Sequence, residues 1–257
     1  MKIKDTIGID ISKLTFDVRI HSNQDYRVFD NLIKDFKELT KWAFKSSAFS
    51  KDEIIFVFEH TGLYSYELAV YLAEQNIPFA LVPGLEIKRS LGIARGKDDK
   101  VDATKIALYA YRLKDEIKPT ELPLEDVTTL KRLLSLRERI VKQRAGYKAS
   151  LKEQKRVLDK NKNKVLFGSQ EKIITYLSKQ IDNIEKEMDN IIKKNKHLNQ
   201  IYKLITSIKG VGPQTALFMI AYSNGFTKFK NARKFASYCG IAPFPNSSGT
   251  SIRGKTK

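Results

Sequence analysis

Hydrophobic positions in the first 118 residues switch between two periods. "TIGIDIS" (6–12), "LTFDVRI" (14–20) and "YRVFDN" (26–31) are short, rich in strand-forming residues and partly alternating. They predict three strands in an antiparallel meander. "LIKDFKELTKWAFKS" (32–46) spaces Leu32, Phe36, Leu39 and Phe44 as one face of a helix. "EIIFVFEH" (53–60) is a continuous apolar run, which suits a strand buried on both faces. "YSYELAVYLAEQN" (64–76) predicts a helix, and "PFALVPG" (78–84) a fifth strand that Pro83 and Gly84 end. The pattern is that of a mixed α/β layer fold.

From 125 to 200 the period settles. Glycine almost vanishes, and Lys, Glu, Leu and Ile dominate. Leu177, Ile181, Ile184, Met188 and Ile191 step by 4, 3, 4 and 3, a heptad seam. Tyr147, Leu151, Leu158 and Val165 hold the same phase upstream, with "NKNK" (161–164) and Gly168 as breaks. Two long helices are expected, as an antiparallel hairpin or a coiled coil between copies. Over so short a seam, a plain amphipathic helix inside a bundle fits equally. The division by pattern is 1–118, 119–200 and 201–257.

Charge narrows the partner. Lys and Arg number 47 against 29 Asp and Glu, a net charge of +18. Such an excess favours a polyanion, nucleic acid above all, over a surface tuned only for solubility. No run of about 18 apolar residues predicts a membrane span, and "MKIKDTIGIDIS" does not read as a signal peptide. A single cysteine, Cys239 in "ASYCGIAP", excludes an internal disulfide; a buried structural thiol and a cytoplasmic location are expected.

Against this basic background the acids stand out. Asp10 ends the first strand and Glu59 the buried strand, where ligands of α/β sheets usually bind. "GKDDKVDATK" (96–105) adds Asp98, Asp99 and Asp102. If "DDKVDATKIALYAYRL" starts a helix, Asp99 and Asp102 share a face as i and i+3. Converging carboxylates repel one another unless hard cations neutralise them, and oxygen donors suit Mg²⁺ or Mn²⁺. Two such ions can bracket a phosphodiester. Singly, each acid also fits a structural role: Asp99 as helix cap, Asp98 beside the helix dipole, Asp10 in a turn.

The C-terminal region carries two further signals. "GVGPQTA" (210–216) places Gly210 and Gly212 before a helix that Pro213 begins, exposing backbone N–H groups as helix-hairpin-helix motifs do toward phosphates. An ordinary tight turn is the alternative. Lys209 precedes it, and "KFKNARKF" adds Lys228, Lys230 and Arg233. "IAPFPNSSGTSIRGKTK" (241–257) is expected to stay out of regular structure because of its prolines. By residue chemistry alone it is a flexible tail with Arg253 and Lys255, since no histidine partner for a serine is evident. His21, His60 and His197 do not cluster, and no role follows for them.

The order Asp, Glu, Asp-x-x-Asp changes the weighting. "GIDISKLTFDV", "FEHTGLYSYELAVYL" and "RGKDDKVDATKIALYA" resemble the N-terminal domain of the DEDD transposases of the insertion-sequence one-ten family. In that family the third block usually reads Lys-Thr-Asp-x-x-Asp-Ala. Lys97, Asp99, Asp102 and Ala103 match it, and Asp98 replaces the threonine. "FASYCGIAPFPNSSGTSIRGK" is similar to the family's C-terminal block. The resemblance implies a RuvC-like α/β domain of the ribonuclease-H class, a long helical coiled-coil middle and a small, mostly α C-terminal domain with a helix-hairpin-helix-like motif. It implies Mg²⁺ (or Mn²⁺) held by Asp10, Glu59, Asp99 and Asp102, and Ser248 before Gly249 as nucleophile, with Ser247 as the alternative. It implies DNA as substrate, a structured guide RNA, and a homo-oligomer, dimer or tetramer, assembled through the helical region. Lys97, Lys209, Gly210, Gly212, Lys228, Lys230, Arg233, Arg253 and Lys255 become the expected nucleic-acid contacts. Family members continue past this block, so an incomplete C-terminal domain is expected. The rival readings are a metal-dependent nuclease or junction resolvase, and a DNA-binding remnant without catalysis.

Overall fold

The computed structural model describes residues 2–90, 99–242, 247–248 and 252–253. At 99, 247, 248, 252 and 253 the description is of the backbone alone. The chain forms two compact units, Met1–Leu122 and Pro123–Lys257.

Unit 1 is built on a mixed sheet of five strands among the described residues. They are β1 (Asp5–Ile11), β2 (Thr15–Ile20), β3 (Tyr26–Asp30), β4 (Ile54–Glu59) and β5 (Phe79–Val82), in the order β3-β2-β1-β4-β5. The meander is as its alternation predicts: β1 pairs antiparallel with β2, and β2 with β3. β4 pairs parallel with β1, and β5 parallel with β4. Among the described residues four α-helices complete the unit: α1 (Ile33–Ser46), α2 (Leu63–Glu74), α3 (Gly84–Ser90) and α4 (Asp99–Arg112).

The two faces of the sheet carry different chemistry because strand side chains alternate. One face is apolar except at its margins, where Asp5 of β1 is buried and Arg27 of β3 is exposed. Ile7, Ile9 and Ile11 of β1, Phe16, Val18 and Ile20 of β2, and Ile54, Phe56 and Phe58 of β4 pack with Phe36 and Leu39 of α1 and Leu68 and Leu72 of α2. Each such side chain contributes about 1.5–3 kcal/mol by leaving water. The opposite face is mixed. Its β4–β5 half is apolar, with Ile55, Val57, Ala80 and Val82 against Ile87 of α3 and Ile106, Tyr109 and Ala110 of α4.

Over β1 the second face carries Thr6, Gly8 and Asp10, and α4 lies directly on the strand. A Cβ at Gly8 would fall 2.2 Å from the Ala107 nitrogen and 2.4 Å from the Ala103 carbonyl oxygen. Thr6 Oγ1 donates to the Ala107 carbonyl at 2.9 Å. α4 is therefore antiparallel to β1, with its N-terminal turn toward the Asp10 end. Two contacts from β2 and the residue after it hold the same alignment: Arg19 Nε donates to Thr104 Oγ1 at 3.0 Å, and the His21 ring stacks on Tyr111 at 4.0 Å.

β5 ends at Val82, as Pro83-Gly84 predicts, but the sequence reading did not foresee that α3 follows at once. The Glu86 and Ile87 amides donate back to the Pro83 carbonyl, so the same pair that stops the strand opens a helix.

Unit 2 consists of α5 (Glu125–Val157), α6 (Lys164–Lys194), α7 (Lys196–Thr206), α8 (Pro213–Ser223), α9 (Ala232–Tyr238) and the short pair β6 (Ser247–Ser248) and β7 (Ile252–Arg253). The break between the long helices falls at residues 158–163, and Gly168 sits inside α6. Ile184, Met188 and Ile191 of the seam are buried with Val127, Leu130 and Leu134 of α5, Leu198 and Ile205 of α7, and Ala216, Leu217 and Ile220 of α8. That part of the seam is thus occupied within this chain. β6 and β7 pair antiparallel, Ser247 opposite Arg253 and Ser248 opposite Ile252, where irregular chain was expected. Cys239 is exposed, not buried: it caps α9, a helix with no buried residues. Among the described residues no helix is long and apolar enough to cross a membrane.

The Gly8 contact gives the first prediction. The atoms a Gly8→Ala methyl would strike are helix backbone and cannot rotate aside. The substitution should cost about 3 kcal/mol, the upper part of the usual overpacking range, and thermal or urea denaturation measures it.

Candidate active site

Asp10 is the penultimate residue of β1, half-buried among buried neighbours. Glu59 is the last residue of β4 and is likewise half-buried. The parallel register pairs Gly8 with Val57 and Ile9 with Phe58, so Asp10 and Glu59 follow as neighbours on the face that α4 covers. Asp17 joins them. It is the Cα partner of Asp10 across the β1–β2 ladder and is 7 % exposed. Directly opposed residues of a ladder share a face, so Asp17, Asp10 and Glu59 form one row across β2, β1 and β4.

The helix above continues the row. Ala107, Ala103 and position 99 repeat every four residues, and four helical residues rise about 6 Å. Two strand residues advance about 6.7 Å. The stripe therefore keeps pace with Thr6, Gly8 and Asp10, and backbone position 99 falls at the Asp10 end. Asp102 is on the same first turn, and its carboxylate accepts from Lys105 Nζ at 2.8 Å.

The carboxylates share a face without being gathered. Glu59 leans toward β5: a Cβ on Gly84 would fall 2.1 Å from its Oε1 and 2.3 Å from its Cδ. Among the described residues, no group of three or more His, Cys, Asp or Glu side chains stands close enough to hold a metal ion. The Asp99 side chain, Lys97 and Asp98 lie outside the described residues. At the same end of β4, the His60 Nδ1 accepts from the Gly62 amide at 3.3 Å. The Thr61 hydroxyl is buried without a hydrogen-bond partner among the described residues.

In unit 2, the Gly210–Gly212 link joins α7 to α8. Gly210 takes φ +91°, a value that favours glycine. Val211 donates to the Ile208 carbonyl at 3.0 Å, Gly212 is the cap and Pro213 opens α8. Lys209, Lys228, Lys230 and Arg233 are all exposed. Lys131 of α5 is pushed below the ordinary lysine range by burial and by the charge of Lys228, so two cations face each other there. Ser247, Ser248 and Arg253 are placed on the β6–β7 backbone, while Gly249 and Lys255 lie outside the described residues.

Comparison with known proteins identifies the family. A transposase family model of the IS110 DEDD type matches residues 7–160, more than half of the chain. A second, described as the transposase IS116/IS110/IS902 family, matches residues 202–257. The chain belongs to the IS110 family of transposases. Pilin gene-inverting proteins of Moraxella bovis and Moraxella lacunata are each 30% identical over 259 residues, covering 97% of this chain and 75% of theirs. A 43.6 kDa protein of insertion element IS110 from Streptomyces coelicolor is 44% identical over 52 residues, 20% of this chain and 13% of its own. As a member of this family the transposase is a DNA-recombination enzyme.

Sequence reasoning placed Asp10 and Glu59 at strand ends and Asp102 on the first turn of a helix; that the two strands are neighbours comes from the structure. It missed Asp17 and Gly84. The signal for Asp17 was only its position in "LTFDV", opposite Asp10 once the hairpin register is known. The three nearest atoms to a Gly84 methyl all belong to the Glu59 side chain, which makes this transposase testable by a double-mutant cycle. Gly84→Ala should destabilise the protein by about 1 kcal/mol, at the low end for overpacking because Glu59 can rotate. In a Glu59→Ala background the same change should become neutral or stabilising by about 0.4–1 kcal/mol. Paired denaturation curves check both.

Proposed function

We propose that this transposase cuts and rejoins DNA strands with an Mg²⁺-dependent acidic site, Asp10, Glu59, Asp99 and Asp102, and with Ser248 as nucleophile. The observation that carries the reading is the row of carboxylates at the ends of adjacent strands, roofed by the first turn of α4. The sheet order β3-β2-β1-β4-β5 supports a RuvC-like domain of the ribonuclease-H class. The donor set is all oxygen, which fits Mg²⁺ or Mn²⁺. When bound, such an ion supplies Lewis acidity and charge neutralisation at the phosphodiester.

The remaining chemistry belongs to the chain. Ser248 Oγ attacks phosphorus and forms a P–O bond while the bond to one deoxyribose oxygen breaks. The serine proton passes to a base, and the leaving oxygen takes up a proton. The bond energy stays in the phosphoserine link, so rejoining needs no external energy source. Ser247 is the alternative nucleophile. The α7–turn–α8 unit would grip phosphates through the free amides of the first turn of α8 beyond Pro213, those of Gln214 and Thr215, as a helix-hairpin-helix does. Lys97, Lys209, Lys228, Lys230, Arg233, Arg253 and Lys255 would neutralise the backbone. A structured guide RNA and a homo-oligomer, dimer or tetramer, assembled through α5 and α6 as a coiled coil, complete the reading. The three-part division 1–118, 119–200 and 201–257 is then a catalytic, an assembly and a serine-bearing segment.

Covalent capture tests this. The protein, coexpressed with the DNA flanking its gene so that any guide RNA copurifies, is mixed with labelled DNA carrying the element ends and with Mg²⁺, then denatured. Label should remain on the protein and disappear in Ser248→Ala and in Asp99→Ala. Free cleaved DNA without an adduct would favour a metal-dependent nuclease. Salt-sensitive binding with neither product would mark a non-catalytic DNA-binding protein.

A further inference from the structure

The proposed metal-binding set leaves Asp17 unexplained. It is buried, charged, and one strand over from Asp10 on the same face. Like charges directly opposed across a ladder are unfavourable, so an aspartate held there needs a reason.

Its surroundings supply one. The Tyr26 hydroxyl of β3 donates to Asp17 Oδ1. The Tyr26 ring in turn meets two cations. The Arg19 guanidinium lies 5.2 Å from its centroid and Lys100 Nζ 5.0 Å. Lys100 stands in the first turn of α4, next to position 99. Arg19 also donates to Thr104 one turn on. Tyr26 therefore joins the carboxylate row, through its hydroxyl, to the start of the helix that roofs it, through its ring. Cation–π contact of this kind is worth more for Arg and Lys in a partly desolvated setting than in open water.

We infer that Asp17 and Tyr26 are positioning residues of the acidic site. Asp17 adds negative potential beside Asp10 without being one of the four proposed ligands, and Tyr26 fixes where the first turn of α4, residues 99–102, sits over the row. This rests on the metal reading above.

The test is Mn²⁺ binding to the full chain, read as loss of the free-ion signal in electron paramagnetic resonance, with melting temperature recorded alongside. Asp17→Asn keeps size and an acceptor oxygen but removes the charge. Tyr26→Phe keeps the ring against Arg19 and Lys100 but removes the hydroxyl, and it carries the test if Asp17→Asn fails to fold. Asp52→Asn, exposed at the opposite end of β4, makes the same change in net charge away from this face. Half-saturating Mn²⁺ should rise about five-fold or more in Asp17→Asn and about two- to five-fold in Tyr26→Phe, because loss of a nearby negative charge and a first-turn shift each weaken cation binding. Asp52→Asn should stay at the wild-type value. A merely structural role would move melting and leave the affinity alone. Affinity unchanged in both variants, with wild-type binding intact, overturns the inference by itself. Wild-type protein that binds no Mn²⁺ in a manner removed by Asp10→Ala overturns the metal reading, and this inference with it.

Discussion

The contact on which unit 1 depends is the one between a helix backbone and a missing side chain. α4 rests on β1 at Gly8, where any Cβ would overlap the backbone of Ala107 and Ala103. Glycine is costly inside a strand, by about 0.5–1 kcal/mol relative to alanine. Here it lets a helix approach more closely than an ordinary helix–sheet layer does. The approach brings the N-terminal turn of α4 down to the level of Asp10. The small residues Ala103 and Ala107 on the helix side serve the same end, and Thr6, Arg19 and His21 hold the helix at that height.

A close approach also sets the electrostatics. Carboxylates at the ends of β1 and β4 would ordinarily point into water and feel little of one another. Roofed by α4, Asp17 is buried and Asp10 and Glu59 are half-buried, so their mutual repulsion is less screened. The protein answers locally with hydrogen bonds and cations: Tyr26 on Asp17, Lys105 on Asp102, Arg19 and Lys100 around Tyr26. Glu59 is parked over Gly84, a position open only because that residue has no side chain. Two glycines thus shape the site from opposite sides, one by admitting a helix and one by admitting a carboxylate.

The strands and most helices of unit 1 were legible because their periods are unambiguous. Alternation in "TIGIDIS" also sets Thr6, Gly8 and Asp10 on one face and Ile7, Ile9 and Ile11 on the other, though which face a helix covers is visible only in the structure. Other features turn on long-range geometry that periodicity does not carry. Gly84 reads as punctuation until the strand before it brings Glu59 alongside. Asp17 reads as one polar position in a hairpin until the register opposes it to Asp10. The seam from Leu177 to Ile191 was ambiguous for a different reason. Over four turns a 3.5 and a 3.6 repeat diverge too little to separate a coiled-coil stripe from a bundle face, and much of the stripe is buried against α5, α7 and α8.

The basic charge of the chain and its acidic site are two parts of one electrostatic problem. A protein with 47 Lys and Arg attracts the phosphate backbone at long range. The same phosphates are repelled at short range by the carboxylates on the α4 face. Exposed Lys209, Lys228, Lys230 and Arg233 lie in unit 2, whereas the acids lie in unit 1. In the proposed reading, the phosphate-attracting surface and the metal-binding acids therefore fall in different folding units, and Ser248 lies with the former. Binding and cleavage then become separable properties. Loss of a carboxylate should leave the attraction to DNA intact or raise it, since it removes repulsion. Loss of a unit 2 lysine should weaken that attraction and lower its salt dependence. A protein that binds DNA well yet fails to cut it is thus the natural failure mode of the acidic row, and weak salt-insensitive binding that of the basic surface.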